Sequence, residues 1–303
     1  MIQTNIKDKF KKIENLIVSF DESMSKHTTF KVGGEADVFL VPKTEKALLE
    51  ALSVCETEKI PLFVMGNGSN LVVRDKGIRG VVIKFASGLT SIQIEGNVIK
   101  AQGGVLLSKL SKSAAKHGLS GLEFAEGIPG TLGGAIAMNA GAYDGEMKNV
   151  VSKSTCVNTQ GEIIELNAEE HDFGYRNSRI KRGKFYVISS ELLLKPSEND
   201  IIFKKMKEFS QLRTSKQPLN FPSAGSIFKR PPGYFAGKLI EECGLKGYKI
   251  GGAEVSTKHS GFIIKSGDAC AADVIELIEH IQNTVFELKG VKIETEVMII
   301  GEE

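Results

Sequence analysis

The chain has 303 residues, of which 41% are hydrophobic and 25% charged, and its formal net charge is +2. This length predicts more than one hydrophobic core. The near-neutral charge excludes a whole-protein field that would attract nucleic acid or an anionic membrane. The first twenty residues contain no apolar run long enough for a signal peptide or a membrane span. The composition therefore indicates a globular cytoplasmic protein, and it says nothing of the oligomeric state.

Four cysteines and five histidines lack the paired spacing of a zinc, redox or other metal site. No metal site is therefore predicted. We interpret the cysteines as buried free thiols in a reducing compartment. They are Cys55, Cys156, Cys243 and Cys270.

The first predicted unit, an α/β unit, covers residues 1–86. Thr44 is a suitable N-cap for a helix whose apolar face includes Leu48 and Leu52. A buried strand over 61–65 leads into a glycine-containing segment, and further strands are predicted over 71–73 and 80–85.

The second predicted unit covers residues 87–199. After a strand over 91–94, a helix is expected from Leu106 to His117, and Gly118 ends it. A glycine- and alanine-rich run follows, and then Asn158–Gly161 predicts a hairpin between two short strands.

The polar segment 196–200 predicts the boundary to a third unit, residues 200–303. Helices are expected near 201–213, 236–243 and 270–288. A final strand is expected from Val291 to Ile300, and in it Glu296 would share one face with Met298 and Ile300. A carboxylate on such a partly apolar face needs a partner or a raised pKa.

The segment 66–71 follows a strand and contains Gly66 and Gly68, as a dinucleotide-binding loop would. However, Leu71 occupies the third glycine position, and a short strand is predicted where a Rossmann fold needs a helix. No Walker-type phosphate loop is present either. Backbone N–H groups in this segment could still bind phosphate.

The run from Gly127 to Tyr143 is rich in glycine and alanine and carries almost no charge. Because glycine and alanine have little or no side chain, a ligand or another element can approach the backbone closely. A flat ring system with a pyrophosphate fits this requirement, and tight packing between elements is the alternative. Residues 128–131 predict a turn into a short helix, whose free N–H groups would favour an anion.

These segments, taken together with others in the same order, resemble the UDP-N-acetylenolpyruvoylglucosamine reductase (MurB) family. The resemblance spans about residues 25–301 and is carried by segments 28–34, 66–71, 127–143, 173–178, 222–229 and 294–297. Asp144 departs from the family pattern, which has a smaller residue there. The short connection at 195–200 and the overall length imply the shorter, type II group.

The resemblance implies an α+β protein, with a p-cresol-methylhydroxylase-type FAD fold in two α/β subdomains and a C-terminal substrate-binding domain. The implied reaction uses NADPH to reduce noncovalently bound FAD. Flavin N5 then delivers hydride to C3 of the enolpyruvyl group of UDP-N-acetylglucosamine enolpyruvate, C2 is protonated, and UDP-N-acetylmuramate results. This reaction belongs to peptidoglycan precursor synthesis.

The resemblance also implies residue roles. Arg176 and Glu296 assist the charged intermediate, and Ser226 donates the proton. The implied substrate ligands are Arg213, Lys216 and Lys229. The implied FAD-binding residues are Gly66, Asn67, Gly68, Ser69, Asn70, Leu71, Ile128, Pro129, Gly130, Thr131, Gly133, Gly134, Asn139, Gly141 and Ala142.

Other interpretations of the same residues stay open at this level. Arg176 could be one member of a surface ion pair, Ser226 a turn residue, and the lysines part of a solvated surface. A flavin oxidase on the same fold is one rival function, although 66–75 and 121–145 offer no His or Cys tether. A non-catalytic nucleotide-sugar-binding protein is the other, and it would be colourless.

Overall fold

The computed structural model describes residues 3–303. Eight α-helices lie in this part of the chain. They are Thr4–Lys11 (α1), Glu45–Thr57 (α2), Leu107–Lys116 (α3), Leu132–Ala137 (α4), Arg179–Arg182 (α5), Asn199–Lys216 (α6), Ala236–Glu242 (α7) and Ala271–Lys289 (α8).

The strands of the described chain are mostly short. They are Leu16–Ser23 (β1), Glu35–Pro42 (β2), Leu62–Met65 (β3), Leu71–Val73 (β4), Ile78–Lys84 (β5), Ile92–Glu95 (β6), Val98–Gln102 (β7), Leu119–Ser120 (β8), Gly141–Ala142 (β9), Gly145–Glu146 (β10), Val151–Val157 (β11), Ile163–Asn167 (β12), Tyr186–Leu193 (β13), Lys195–Pro196 (β14), Ser223–Ser226 (β15), Lys249–Ile250 (β16), Ala253–Val255 (β17), Phe262–Lys265 (β18) and Met298–Ile300 (β19).

The chain divides into two compact units that alternate along the sequence. The first contains the residues up to Phe20, Val38–Asn67 and Gly80–Arg213, and the second contains Asp21–Asp37, Gly68–Arg79 and Thr214–Glu303. The sequential division at residues 86 and 199 stays a prediction.

The first unit is built on two sheets with the strand orders β1-β2-β5-β3 and β12-β11-β13-β7-β6. The predicted N-cap of α2 is confirmed, since Thr44 Oγ1 accepts a hydrogen bond from Ala47 N at 3.1 Å. The apolar face of α2 is buried beside the first sheet, and Leu48 and Leu52 are fully buried there. The predicted hairpin is also confirmed, because β11 and β12 pair antiparallel with Val157 opposite Ile163.

The second unit contains the antiparallel sheet β15-β18-β17-β16, the helices α7 and α8, and the parallel pair β19-β4. Helix α8 buries Val274, Leu277 and Ile281 in the core of this unit. It ends at Gly290, whose φ of +68° is the left-handed geometry of a helix C-terminus.

The prediction of one strand from Val291 to Ile300 is wrong for residues 291–297, since β19 begins only at Met298. The N–H groups of Glu296 and Val297 both point at Ile227 O, at 2.7 and 3.3 Å. Successive N–H groups in a regular ladder point to opposite sides, so a strand cannot continue through this point. Glu296 therefore lies before the strand and is half-buried, and it does not share a strand face with Met298.

The interpretation of all four cysteines as buried is also wrong. Cys55 and Cys156 are buried, and burial raises the pKa of each thiol to about 12. Cys270 is exposed, because it precedes the first turn of α8 at the surface.

Candidate functional site

The first glycine segment connects β3 to β4, as predicted. Gly66 packs directly on Thr131, since a Cβ at Gly66 would lie 2.2 Å from Thr131 Oγ1. Asn67 Nδ2 donates to Pro129 O at 2.8 Å. The two glycine segments that were predicted to serve one ligand are therefore in contact.

Backbone donors remain available in this first segment. Within residues 3–303 the N–H groups of Asn67, Gly68 and Ser69 donate no hydrogen bond. Gly68 has a φ of +67°, a conformation that glycine adopts without strain. Successive backbone N–H groups without protein acceptors are suited to bind a phosphate or another anion.

The prediction of free N–H groups at the start of α4 is wrong. Leu132 N donates to Val105 O and Gly133 N to Gly103 O, both at 2.8 Å, and Gly134 N donates to Thr131 Oγ1 at 3.4 Å. The helix start lies against the turn at 103–105, which provides acceptors that the sequence pattern does not reveal. The N–H groups of residues 132–134 are therefore not available to an anion, and the cofactor contacts of Gly133 and Gly134 stay a prediction.

Asn139 follows α4 and is only 4% exposed, with a φ of +44°. Its Nδ2 donates to Glu146 Oε2 at 2.8 Å and to Gly174 O at 3.2 Å, while its Oδ1 accepts from Lys148 N at 3.0 Å. Because the whole side-chain amide is engaged within the protein, we expect that only its backbone could contact a cofactor. Glu146, which no sequence motif indicated, is a member of this network.

Arg176 lies in a tight turn beside the same segment. Gly174 N donates to Asn177 O at 3.0 Å, and Asn177 N donates to Gly174 O at 3.3 Å. Arg176 adopts a φ of +53° within this turn and is half-buried. Ser178 Oγ donates to Ala137 O, at the end of α4, at 2.8 Å. The structure thus joins the Arg176 turn to the end of the glycine-rich segment.

Arg213, on α6, lies against Gly127, because a Cβ at Gly127 would be 2.7 Å from Arg213 Cδ. Burial lowers the pKa of the guanidinium, and the nearby Tyr143 opposes this shift. Within residues 3–303, Arg213 Nε is buried without an acceptor and the side chain forms no ion pair. A desolvated cation of this kind is costly by itself and is suited to an anionic ligand.

Tyr143, at the tip of the β9–β10 hairpin, stacks on Phe209 of α6 with ring centroids 4.5 Å apart. Both rings line a cavity of about 380 Å³, which Phe124, Asn149 and Lys205 also line. The neighbouring residues Gly141 and Ala142 form β9, which pairs with β10.

In the second unit, Ser226 and Glu296 lie on neighbouring segments of the chain. Ser226 pairs with Phe262 across β15 and β18, and Gly225 before it has a φ of +76°. Glu296 N donates to the carbonyl of Ile227, the residue after Ser226. The sequence predicted both residues as members of a site, and the fold brings their backbones together.

Asn70 forms two hydrogen bonds to the backbone on either side of Val297. Its Nδ2 donates to Glu296 O at 3.0 Å, and its carbonyl accepts from Met298 N at 3.0 Å. The resemblance gave Asn70 a role in cofactor binding. In the structure its side chain binds the backbone carbonyl of Glu296, the predicted catalytic residue, within the second unit.

The two predicted substrate lysines lie at the surface of the second unit. Lys216, the last residue of α6, is exposed. Lys229 Nζ forms an ion pair with Glu294 Oε2 at 2.8 Å, and this contact lowers the pKa of Glu294. An exposed pair of this kind is weak, so Lys229 remains able to exchange Glu294 for a substrate anion.

Comparisons with known proteins agree with this geometry. The profile of an FAD binding domain matches residues 36–167, and that of the C-terminal domain of UDP-N-acetylenolpyruvoylglucosamine reductase matches residues 217–300. A curated UDP-N-acetylenolpyruvoylglucosamine reductase of Alkaliphilus oremlandii is 50% identical over 287 residues, covering 95% of this chain and 94% of that protein. The chain belongs to the UDP-N-acetylenolpyruvoylglucosamine reductase family.

Further members of the family show the same extent of similarity. The Clostridium tetani relative is 50% identical over 294 residues, with 96% of this chain and 95% of that protein covered. The crystal structure of the Thermus caldophilus enzyme matches with a TM-score of 0.79 at 34% identity, over 94% of this chain and 98% of that one. The resemblance drawn from the sequence is therefore confirmed.

Membership of this family makes the chain an FAD-dependent oxidoreductase with a p-cresol-methylhydroxylase-type FAD-binding fold. The fold alone is also shared with the glucose dehydrogenase Phl p 4.0202, at a TM-score of 0.51 and 12% identity over 64% of this chain and 44% of that one. Among the described residues, no helix combines the length and the apolar character that crossing a bilayer requires.

Proposed function

We propose that this chain reduces UDP-N-acetylglucosamine enolpyruvate to UDP-N-acetylmuramate in the cytoplasm, with NADPH as the electron donor. The family match over nearly the whole chain supports this reaction. The structural observation that supports the proposal most is the hydrogen bond from Glu296 N to Ile227 O at 2.7 Å, which brings the backbone of Glu296 next to that of Ser226 in the second unit. A protein that only binds nucleotide sugars needs neither side chain.

The described residues fit FAD. The N–H groups of Asn67, Gly68 and Ser69, which have no acceptor within residues 3–303, are suited to hold its pyrophosphate. Gly141 and Ala142, whose strand β9 pairs with β10, are also proposed to contact FAD. When bound, FAD accepts hydride from NADPH and supplies it to C3 of the enolpyruvyl group.

Side chains of the protein are proposed to stabilise the negative charge of the intermediate and to donate the proton to C2. Negative charge develops at C2 and on the substrate carboxylate, and Arg176 and Glu296 are the groups proposed to stabilise it. Ser226 is proposed to donate its proton to C2. An alcohol is a weak acid, but a carbanion-like centre is basic enough to take its proton if the hydroxyl is held in place.

The diphosphate of the substrate needs cationic ligands, and the proposed ones are Arg213, Lys216 and Lys229. Among these three residues, Arg213 is the best supported as an anion ligand. Its guanidinium is desolvated, and its Nε has no acceptor within residues 3–303. Lys216 is exposed and Lys229 is held only by a surface carboxylate. The assignment to the type II group also remains part of this proposal.

The test separates the two half-reactions by anaerobic stopped-flow absorbance. NADPH should bleach the flavin, and the enolpyruvyl substrate should restore its colour. Arg176→Ala and Glu296→Gln should keep the first step and slow the second by about 10²–10³, the usual effect of removing one group aimed at developing charge. Arg179→Ala, an exposed neighbour on α5, is the matched control and should behave as wild type. Normal reoxidation by either test variant would overturn the assignment.

A further inference from the structure

The strand that carries Ser226 is irregular just before this residue. Ser223 of β15 pairs with Ile264 of β18. Ser226 pairs with Phe262, so β15 advances three residues between the two pairs while β18 advances two. One residue of β15 is therefore extra, as in a β-bulge, and Gly225 has the positive φ of +76° that suits such a site. Because a bulge redirects nearby side chains, the direction of the Ser226 hydroxyl depends on the geometry of this bulge.

Thr29 forms a hydrogen bond to the first residue of the bulge. Its Oγ1 donates to Ser223 O at 2.7 Å, and its backbone N–H donates to Gly68 O at 3.2 Å. The next residue, Phe30, is fully buried and packs in the same hydrophobic cluster as Ala224 of the bulge. All of these residues belong to the second unit. Thr29 is thus a donor whose own position is fixed on both sides.

Two hydrogen bonds between β15 and β18 flank the irregular part of the strand. Lys265 N donates to Pro222 O before it, and Ile227 N donates to Gly261 O after it, both at 2.9 Å. The carbonyl that Thr29 binds lies between these two points. The Thr29 hydroxyl therefore acts directly on the segment whose geometry orients Ser226.

The orientation of Ser226 matters because an alcohol is a weak acid. Proton transfer from such a group depends on its being held within hydrogen-bond reach of the accepting atom. A displacement of about 1 Å can lower a rate by about 10²-fold. A hydrogen bond that fixes the bulge is thus able to affect the reaction without any contact with the substrate.

We propose that Thr29 is a positioning residue that fixes the β15 bulge through Ser223 O and thereby orients the Ser226 hydroxyl towards C2. This inference rests on the proposed function, since it takes Ser226 as the proton donor. Thr29 touches none of the reacting atoms in this proposal. Through Gly68 O it also ties the bulge to the first glycine segment, which is proposed to hold the cofactor pyrophosphate.

Two substitutions at position 29 separate the hydroxyl from the rest of the side chain. Thr29→Val keeps the shape and removes the hydroxyl. It should slow reoxidation of the flavin by the enolpyruvyl substrate by about 10–100-fold, as expected for a misplaced catalytic group. The solvent deuterium isotope effect on this step should increase, because proton transfer becomes slower. Reduction by NADPH and flavin content should stay normal, and Thr29→Ser, which keeps the hydroxyl, should reoxidise at close to the wild-type rate.

A double-mutant cycle tests whether the effect passes through Ser226. In the Ser226→Ala background, Thr29→Val should have no further effect on reoxidation. Thr284→Val is the matched control. It also removes a half-buried hydroxyl that donates to a backbone carbonyl, His280 O at 2.9 Å in α8, and it should leave reoxidation unchanged.

Equal slowing by Thr29→Val in both backgrounds would overturn the positioning role, and so would a normal rate for Thr29→Val beside a slow Ser226→Ala. Slow reoxidation by Thr29→Ser would overturn it as well. Loss of flavin or slow reduction by NADPH in Thr29→Val would do the same, because either result would indicate a general structural role. A normal rate for Ser226→Ala would instead overturn the proposed function on which this inference rests.

Discussion

The backbone position of Ser226 depends on the conformation of the preceding residue, Gly225. Gly225 has a φ of +76°, and no atom lies within 4 Å of where its Cβ would be, so the backbone conformation alone requires glycine here. If Ser226 donates the proton to C2, Ser226→Ala should slow reoxidation of the flavin by substrate by about 10²–10⁴, the usual value of positioned proton transfer. Stopped-flow measurement of both half-reactions checks this.

Reduction of the flavin by NADPH should be nearly normal in Ser226→Ala, because that step needs no proton at C2. Ser223→Ala, on the same strand, is a suitable control. The carbonyl of Ser223, which the substitution keeps, accepts the hydrogen bond from Thr29 Oγ1. An alanine variant at 226 that loses only the NADPH step, or neither step, would show that Ser226 is a turn residue.

Arg213 gives a prediction in which stability and binding move in opposite directions. A desolvated cation without an ionic partner in the described chain destabilises the free protein. Arg213→Met should therefore raise the melting temperature without substrate. It should also raise KM about 10–100-fold, which corresponds to losing one charged hydrogen bond.

Lys204→Met removes an exposed charge from the same helix and should change neither the melting temperature nor KM. Melting curves and steady-state kinetics of the two variants give the comparison. An Arg213→Met protein that is less stable and has an unchanged KM would contradict the role in anion binding.

At the scale of elements, hydrophobic periodicity and capping residues were sufficient to predict those helices and strands whose structure depends on nearby residues. The apolar face of α2 and the N-cap Thr44 were predicted correctly, as were the short strand β4 and the end of α3 at Gly118, whose φ is +67°. These features depend on residues close in sequence.

Prediction from the sequence failed where segments distant in the chain supply the hydrogen-bond partners. Free N–H groups at α4 were predicted because the acceptors, Val105 O and Gly103 O, lie about thirty residues away. The final strand was predicted too long because Ile227 O captures two successive N–H groups. Glu146 was missed for the same reason, since its link to the Arg176 turn passes through the side chain of Asn139.

His171, which follows β12, predicts a pH dependence of stability. The ring is 0% exposed, its Nδ1 lies 2.5 Å from Asn167 O and its Nε2 lies 2.8 Å from Ser154 Oγ. Burial lowers its pKa below the ordinary value of 6.5. The unfolded chain therefore binds this proton more readily, so the free energy of unfolding should fall as the pH drops below 6.5.

Urea unfolding at a series of pH values measures this effect. His171→Gln should lose part of the decline, whereas His117→Gln, at an exposed position, should keep it. An unchanged pH profile in His171→Gln would contradict the account of this buried ring.

At the scale of the whole molecule, the three large hydrophobic clusters of the described residues support the expectation of several cores. Two lie in the first unit, around Leu48 and around Leu110, and the third, around Ile278, forms the second unit. The proposal of two FAD-binding subdomains and a substrate domain is compatible with these three clusters.

The cofactor should be held without a covalent bond. No His or Cys lies in segments 66–75 or 121–145, so only Tyr143 could tether a flavin there. Acid precipitation of the yellow protein should therefore release FAD into the supernatant. Flavin that remains in the pellet would contradict noncovalent binding, and a Tyr143→Phe variant would show whether that ring is the tether.

The most direct test of the central claim follows the product. Purified protein is mixed anaerobically with NADPH and UDP-N-acetylglucosamine enolpyruvate, and the nucleotide sugar is analysed by mass spectrometry. The account predicts that one NADPH is consumed for each nucleotide sugar, which gains the mass of one hydride and one proton. A nucleotide sugar of unchanged mass, with NADPH oxidised only after oxygen is admitted, would contradict it and indicate an oxidase on this fold.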